Sequence, residues 1–176
     1  SQASSGDTLG HLAGAVPELG GADELELMQS WAPKLCRENL TPVSHVENPD
    51  LEWCPPGHAD VYPSLFGSGW LERLLDEGAK YAFISNSDNL GAVLDPTLLS
   101  YFSKSGAPFM MEVTRRTDAD RKGGHLAKRT SDGRLILREV AQCPEEDLEK
   151  FQDIEKHQFF NTNNVWINLE SLRDVM

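Results

Sequence analysis

The chain is poor in basic residues: 16 Lys and Arg stand against 28 Asp and Glu, a formal charge of −12 over 176 residues. That balance argues against a protein that tracks the phosphates of a nucleic-acid polymer, since such proteins gain affinity by releasing counterions to clustered cations. It leaves room for a local basic pocket holding one small anion. Cysteine is scarce too. Cys36, Cys54 and Cys143 form no CxxC pair, and an odd number of thiols cannot close a full disulfide framework, so reduced thiols in a cytoplasmic protein are expected. No apolar run approaches the ~20 residues that a membrane span needs. The Ser1 to Gly6 segment lacks the charged and apolar regions of a signal peptide, so neither a membrane nor an export route is expected.

What is present is enough for a folded unit. At 39% apolar residues the chain is too hydrophobic for generic disorder, and its length favours one domain over residues 1–176, or a piece of a larger one. The missing initiator Met and a pattern still running at Val175-Met176 favour the piece. No feature sets the oligomeric state.

Hydrophobic spacing at Leu9, Leu12, Val16 and Leu19 predicts a short helix stopped by Gly20-Gly21, and alternation predicts a short strand at 24–28. From Pro33 to Pro63 the chain is rich in turn formers, and a long irregular stretch is uncommon in a domain unless it builds a site. Leu65, Trp70, Leu71, Leu74 and Leu75 predict a helix over Ser64–Gly78, followed by a buried strand over Lys80–Ser85. Asp95-Pro96 opens a helix closed by Gly106, because Asp caps free amides and Pro fits the first helical position. Further on come strands at Pro108–Thr114 and Leu135–Ala141, a hairpin turn at Ser131-Asp132-Gly133, a helix over Pro144–Glu155, a strand over Phe159–Ile167 and a last helix capped by Asn168. Alternating helices and strands with short connections predict an α/β sheet flanked by helices.

In such a sheet ligands bind at the carboxyl ends of strands. The strand ending at Ser85 runs into Asn86-Ser87-Asp88-Asn89-Leu90-Gly91, where Asp88 offers a hard oxygen to Mg²⁺, although the same residue types simply make turns. In Trp53 to Pro63, Gly57 lets a flat ligand approach the backbone and His58 offers ring nitrogens to a phosphate or sugar; for the segment taken by itself, a rigid surface turn with an idle His58 is the favoured reading. The one basic concentration, Arg115 to Gly124, suits phosphate or a solvated hairpin with salt bridges. Asn161, Asn163 and Asn164 are poor strand formers placed just before Val165-Trp166-Ile167, and carboxamides, as donor and acceptor together, suit sugar hydroxyls.

In order, WCPPGH at 53–58, YAFISNSDNLGA at 81–92, MEV..RT.AD.KGG.LA at 111–127, L.EVAQCP at 137–144 and FFNTNNVWINL at 159–169 resemble the UTP-glucose-1-phosphate uridylyltransferase family, and most of all its bacterial branch. The resemblance runs from about Leu27 to the C-terminus. It implies a Rossmann-like nucleotidyltransferase (GT-A-like) mixed sheet, incomplete at both ends, using Mg²⁺ to convert UTP and glucose 1-phosphate into UDP-glucose and pyrophosphate. It further implies that Gln29 reads the uracil edge, Gly57 lies against the base, and His58 reaches the sugar-phosphate region. Asp88 would hold Mg²⁺, Asn86 would contact glucose, and Gly124, Glu139, Asn161 and Asn163 would complete the hexose pocket. Arg116 would hold phosphate with His58 and Asp88 at the reacting centre. Two departures from the family stand out: Ala59 where members typically have Gly, and Arg116 where many have Lys. The family's Gly-rich, Lys-containing loop, a later lysine and a C-terminal β-helix lie outside residues 1–176, so this polypeptide alone is expected to be inactive. Two other readings stand beside the transferase: a uridylyltransferase for another hexose 1-phosphate, such as N-acetylglucosamine 1-phosphate, and a non-catalytic sugar-nucleotide-binding or assembly module.

Overall fold

The structure, a computed structural model, describes residues 2–19 and 26–176. The backbone groups into two units, one of residues 1–79 with 172–176 and one of residues 80–171.

In the first unit α1 spans Gln2–Ala15, and its Ser5 hydroxyl donates to Glu26 at 2.9 Å. The stop expected at Gly20-Gly21 lies outside the described residues. So do positions 24 and 25 of the strand expected at 24–28, and Glu26 to Met28 is not strand. The turn-rich stretch holds a two-stranded antiparallel pair, β1 (Ala32–Pro33) and β2 (Trp53–Cys54). The helix expected over Ser64–Gly78 is two helices, α2 (Val61–Gly67) and α3 (Trp70–Asp76). Gly69 between them takes φ 81°, a left-handed backbone that breaks the helix. Leu65 and Leu71 are buried on either side of the break, so the apolar spacing continues across it.

The second unit mixes helices with one sheet, and every strand pair in that sheet is antiparallel, where a mixed one is expected from the sequence. Its elements are β3 (Tyr81–Ile84), α4 (Pro96–Ser105), β4 (Phe109–Arg115), β5 (His125–Lys128), β6 (Leu135–Arg138), α5 (Leu148–Phe151) and β7 (Phe159–Asn168); α6 (Leu169–Val175) follows β7 directly, and its residues from Leu172 on are grouped with the first unit. α4 begins as expected: Asp95 accepts from the Thr97 amide at 2.6 Å, and Gly106 ends the helix at φ 66°. Asn168 accepts from the Ser171 amide at 3.0 Å, which is the expected cap of α6. The helix expected over Pro144–Glu155 shrinks to α5, because the Asp153 side chain takes the amides of Glu155 and Lys156 at 3.0 and 3.1 Å and turns the chain.

β7 is the central strand of the five-stranded sheet, antiparallel to every strand it pairs. Residues 165–167 pair with β3 and with β4, so these two lie on opposite edges of β7 and run parallel to each other, joined by α4. Around β7 the core collects Phe102, Phe151, Val165, Trp166 and Ile167, with Phe83 against Trp166 at 4.5 Å and Tyr81 edge-on to Phe102 at 5.5 Å. The sheet has one irregularity. Met111 pairs with Val165 and Val113 with Asn161, so β4 advances two residues while β7 advances four. β7 therefore bulges at Thr162–Asn164, with Asn163 at φ 61°. β3 ends at Ile84 opposite Val165, so the Asp88 loop leaves the sheet next to this bulge.

Candidate functional site

In the first unit the residues expected to read the nucleotide meet. Gln29 donates through Nε2 to the Gly57 carbonyl at 3.4 Å, and Gly57 takes φ 109° at the entry to a 3₁₀ turn that carries His58. A Cβ at Gly57 would meet nothing within 4 Å, so glycine is required there by torsion and not by crowding. His58 and Ala59 are exposed on this turn. Asp60, to which the sequence assigns no role, holds the arrangement: its Oδ2 accepts from the Ser30 amide at 2.7 Å and the Ser64 hydroxyl at 2.9 Å. Burial pushes the Asp60 carboxyl up, but the bonds from Ser30 and Ser64 outweigh it and hold the group below its usual value. The segment bearing Gln29 is thereby tied to the turn bearing Gly57 and His58.

In the second unit the expected hexose-side residues form a connected set. The Gly124 carbonyl accepts from the Asn161 amide at 2.9 Å, Asn161 Oδ1 accepts from the Asn163 amide at 2.9 Å, and Asn163 Nδ2 donates to Asn86 Oδ1 at 2.7 Å. The Glu139 carboxylate occupies the space that a Cβ on Gly124 would take. The bulge brings this about, because the left-handed backbone at Asn163 turns its carboxamide to the loop after β3. These bonds leave Asn161 Nδ2, Asn163 Oδ1, Asn86 Nδ2 and both Glu139 oxygens uncommitted among the described residues, a mixture of donors and acceptors that matches hydroxyl groups.

Asp88 is exposed in the same loop, two residues after Asn86, and its carboxylate makes no hydrogen bond or ion pair among the described residues. The described residues contain no group of three or more His, Cys, Asp or Glu able to cage a metal. A lone available carboxylate suits Mg²⁺, which takes one or two carboxylates and fills its remaining positions with phosphate oxygens and water.

Arg116 is a correction. Only 6% exposed, it donates through Nη1 to the carbonyls of Phe151 and His157 at 3.2 and 3.3 Å, and through Nη2 to those of Asp120 and Arg121 at 3.1 and 2.6 Å. A guanidinium committed to these four carbonyls binds backbone, and offers no fork to a phosphate. Arg121 pairs with Asp118 at 2.6 Å, and Thr117 and Asp120 close a reciprocal cap. The basic concentration thus commits Arg116 to backbone carbonyls and Arg121 to Asp118.

The sequence also misses Glu112 and the pair His125 and His157. Glu112 faces the bulge and accepts from Trp166 Nε1 at 2.7 Å and Asn164 Nδ2 at 3.1 Å. His125 is fully buried against Phe151, with His157 stacked on it at 4.1 Å. A glutamate in a strand and a buried histidine carry no spacing signal; only the register shift and the packing reveal them.

A family model described as UTP–glucose-1-phosphate uridylyltransferase matches residues 20–176. The chain is 45% identical over 149 residues to UTP–glucose-1-phosphate uridylyltransferase 2 of Dictyostelium discoideum, an alignment covering 84% of this chain and 29% of that protein. It is 44% identical over 146 residues to the UTP–glucose-1-phosphate uridylyltransferase of Hordeum vulgare, covering 82% and 30%. Among solved structures, a UDP-glucose phosphorylase from Trypanosoma brucei superposes with a TM-score of 0.90 at 49% identity, over 98% of this chain and 38% of that one. A mutant UDP-glucose pyrophosphorylase from Leishmania major in complex with UDP-glucose gives a TM-score of 0.88 at 46% identity, over 98% and 39%. The chain spans about 30% of the length of the curated relatives it matches. These relatives are eukaryotic, so the expected kinship with the bacterial branch finds no support.

Proposed function

The chain belongs to the UTP–glucose-1-phosphate uridylyltransferase family, and we propose that the whole protein transfers uridylyl from UTP to glucose 1-phosphate, giving UDP-glucose and pyrophosphate. Residues 1–176 then form part of its catalytic domain. The observation that carries the reading is the connected set of Gly124, Glu139, Asn161, Asn163 and Asn86, which ends on the loop bearing Asp88. Its uncommitted amide and carboxylate groups are suited to hexose hydroxyls. Gln29 and Gly57 take the uracil end, with the Gln29 carboxamide offering a donor and an acceptor to the base edge. His58, exposed after Gly57, is assigned to the phosphates.

An oxygen of the sugar phosphate attacks the α-phosphorus of UTP, a new P–O bond forms, and the bond to pyrophosphate breaks with the leaving group opposite the nucleophile. The protein has little covalent work in such a transfer, so positioning and charge neutralisation lower the barrier. Asp88 is the residue that would hold Mg²⁺, and the ion, when bound, would neutralise the gathering phosphate charge. The thiols of Cys36, Cys54 and Cys143 are unpaired, which favours a reducing compartment such as the cytoplasm. No helix among the described residues is long and apolar enough to cross a membrane.

The test is pyrophosphate release by the full-length protein from UTP with glucose 1-phosphate or N-acetylglucosamine 1-phosphate. Asp88→Ala is expected to lower kcat/KM by roughly 100-fold or more, an electrostatic loss of about 3 kcal/mol. Gln29→Ala is expected to raise the KM for UTP about tenfold, the worth of about one hydrogen bond. Equal constants in all three proteins would sink the assignment, and faster turnover of the acetylated sugar would sink its glucose part.

A further inference from the structure

Glu112 lies where two residues of β4 span four of β7, and all of its side-chain partners are on β7, two of them in the bulge. Its backbone carbonyl takes the Thr162 hydroxyl at 2.8 Å, Oε1 takes Trp166 Nε1 at 2.7 Å, and Oε2 takes Asn164 Nδ2 at 3.1 Å. A carboxylate can only accept. Asn164 must therefore turn its nitrogen to Glu112 and its oxygen outward, where Oδ1 accepts from Asn89 Nδ2 at 3.1 Å. Asn89 has the same polarity for a second reason, because its Oδ1 accepts from the Gly91 amide at 3.2 Å. A single directed chain of hydrogen bonds thus runs from a half-buried carboxylate to the backbone of the loop that bears Asp88. Both ends of the chain specify the same orientation of each carboxamide. The Asn163–Asn86 bond ties the loop to the same bulge a second time.

We propose that Glu112 is a positioning residue: through Asn164 and Asn89 it fixes the loop on which Asp88 stands, and so sets the affinity of that carboxylate for its divalent cation. This rests on the metal-holding role given to Asp88 above. Glu112 itself touches neither cation nor substrate. Its replacement by glutamine preserves shape but swaps one acceptor for a donor. Trp166 Nε1 can only donate and keeps the single oxygen of the new amide, so the amide nitrogen faces Asn164; that contact is satisfied only if Asn164 flips, which in turn flips Asn89 and strips the Gly91 amide of its acceptor. Asn164→Asp in the same protein removes the conflict, since an aspartate there accepts both from the new amide at position 112 and from Asn89 without any flip.

The experiment uses the full-length protein, with the Mg²⁺ dependence of turnover and the ¹⁵N-glycine resonance of Gly91 as readouts. Glu112→Gln is expected to raise the Mg²⁺ concentration for half-maximal rate about tenfold and to lower kcat by roughly 10- to 100-fold, the usual scale for groups that orient a metal ligand. The KM for UTP should stay unchanged and the Gly91 resonance should move. The Glu112→Gln, Asn164→Asp double variant should return every value toward wild type, a reversal that a merely structural role would not produce. A folded Glu112→Gln protein with wild-type Mg²⁺ dependence and an unmoved Gly91 resonance overturns the proposal, as does a double variant no better than the single one. If the single variant does not fold, a double variant that folds with wild-type constants supports the proposal, and one that also fails overturns it. A wild-type protein without turnover refutes the functional reading instead, and the Gly91 resonance in the variants then decides the role of Glu112 alone.

Discussion

His125 makes stability depend on pH in a direction that the packing dictates. The ring is fully buried, Nδ1 lies 3.3 Å from the Leu126 carbonyl, and Nε2 has no partner among the described residues. His157 stacks on it, Phe151 packs against it, and Arg116 and Arg138 add positive charge nearby, so burial and neighbouring charge together outweigh the Leu126 carbonyl, the one group that favours a proton on this imidazole. Burial first, and then the neighbouring cations, push its pKa down to about 4 from an ordinary 6.5. In the unfolded chain the same group protonates near its ordinary value, so between these limits the unfolded state binds more protons and acid favours unfolding. The contribution is complete above pH 6.5 and is withdrawn as the pH falls toward 4. Its full size is about 3 kcal/mol, of which about 2 kcal/mol is lost by about pH 5. His125→Phe keeps a flat ring and removes the titration. Urea unfolding of both proteins between about pH 7.5 and 4.5 is expected to show the wild type losing about 2 kcal/mol more than the variant by about pH 5. Parallel pH profiles would refute the reasoning, and so would a wild type that gains stability in acid.

Two further substitutions separate holding the fold from binding ligand. Arg116→Ala leaves the carbonyls of Phe151, His157, Asp120 and Arg121 without their donor, so thermal unfolding should report a loss of about 3 kcal/mol or more, with the KM values of the folded enzyme unchanged; a large rise in the KM for UTP at unchanged stability would return Arg116 to the phosphates. Gly124→Ala puts a methyl group where the Glu139 carboxylate lies, and is expected to raise the KM for the sugar phosphate about tenfold while costing about 1–3 kcal/mol of stability; an unaltered KM would remove Glu139 from the hexose side.

Local chemistry is legible in the sequence wherever a residue acts on its own neighbours. Asp95, Pro96 and Gly106 mark both ends of α4, Asn168 caps α6, and Ser131-Asp132-Gly133 turns the chain between β5 and β6, because caps and turns depend on residues within a few positions. The misses have the same root. Apolar spacing runs unbroken from Leu65 to Leu75, yet one left-handed glycine, Gly69, divides the helix, and a helical composition after Pro144 yields to the Asp153 turn.

The candidate site divides along a similar line. The carboxamide run before Val165 is visible as something a strand does not want, and the bulge is the physical answer: β7 leaves regular pairing at Thr162–Asn164, where carboxamides bond across to the loop after β3. Arg116 reads in the sequence as a cation awaiting an anion, since partners that are backbone carbonyls leave no trace in composition or spacing. Glu112 is silent for the opposite reason. In Met111-Glu112-Val113 it looks like an ordinary polar step in an alternating strand, and its importance arises only when the partner strand gains two residues against it. A register shift is a property of two segments far apart in the chain (Thr162 bonds to Glu112 at a separation of 50), so no reading of either segment alone could locate it. The acceptor-only carboxylate at the shift and the Gly91 amide at the far end of the chain together give the carboxamides between them one orientation in place of two.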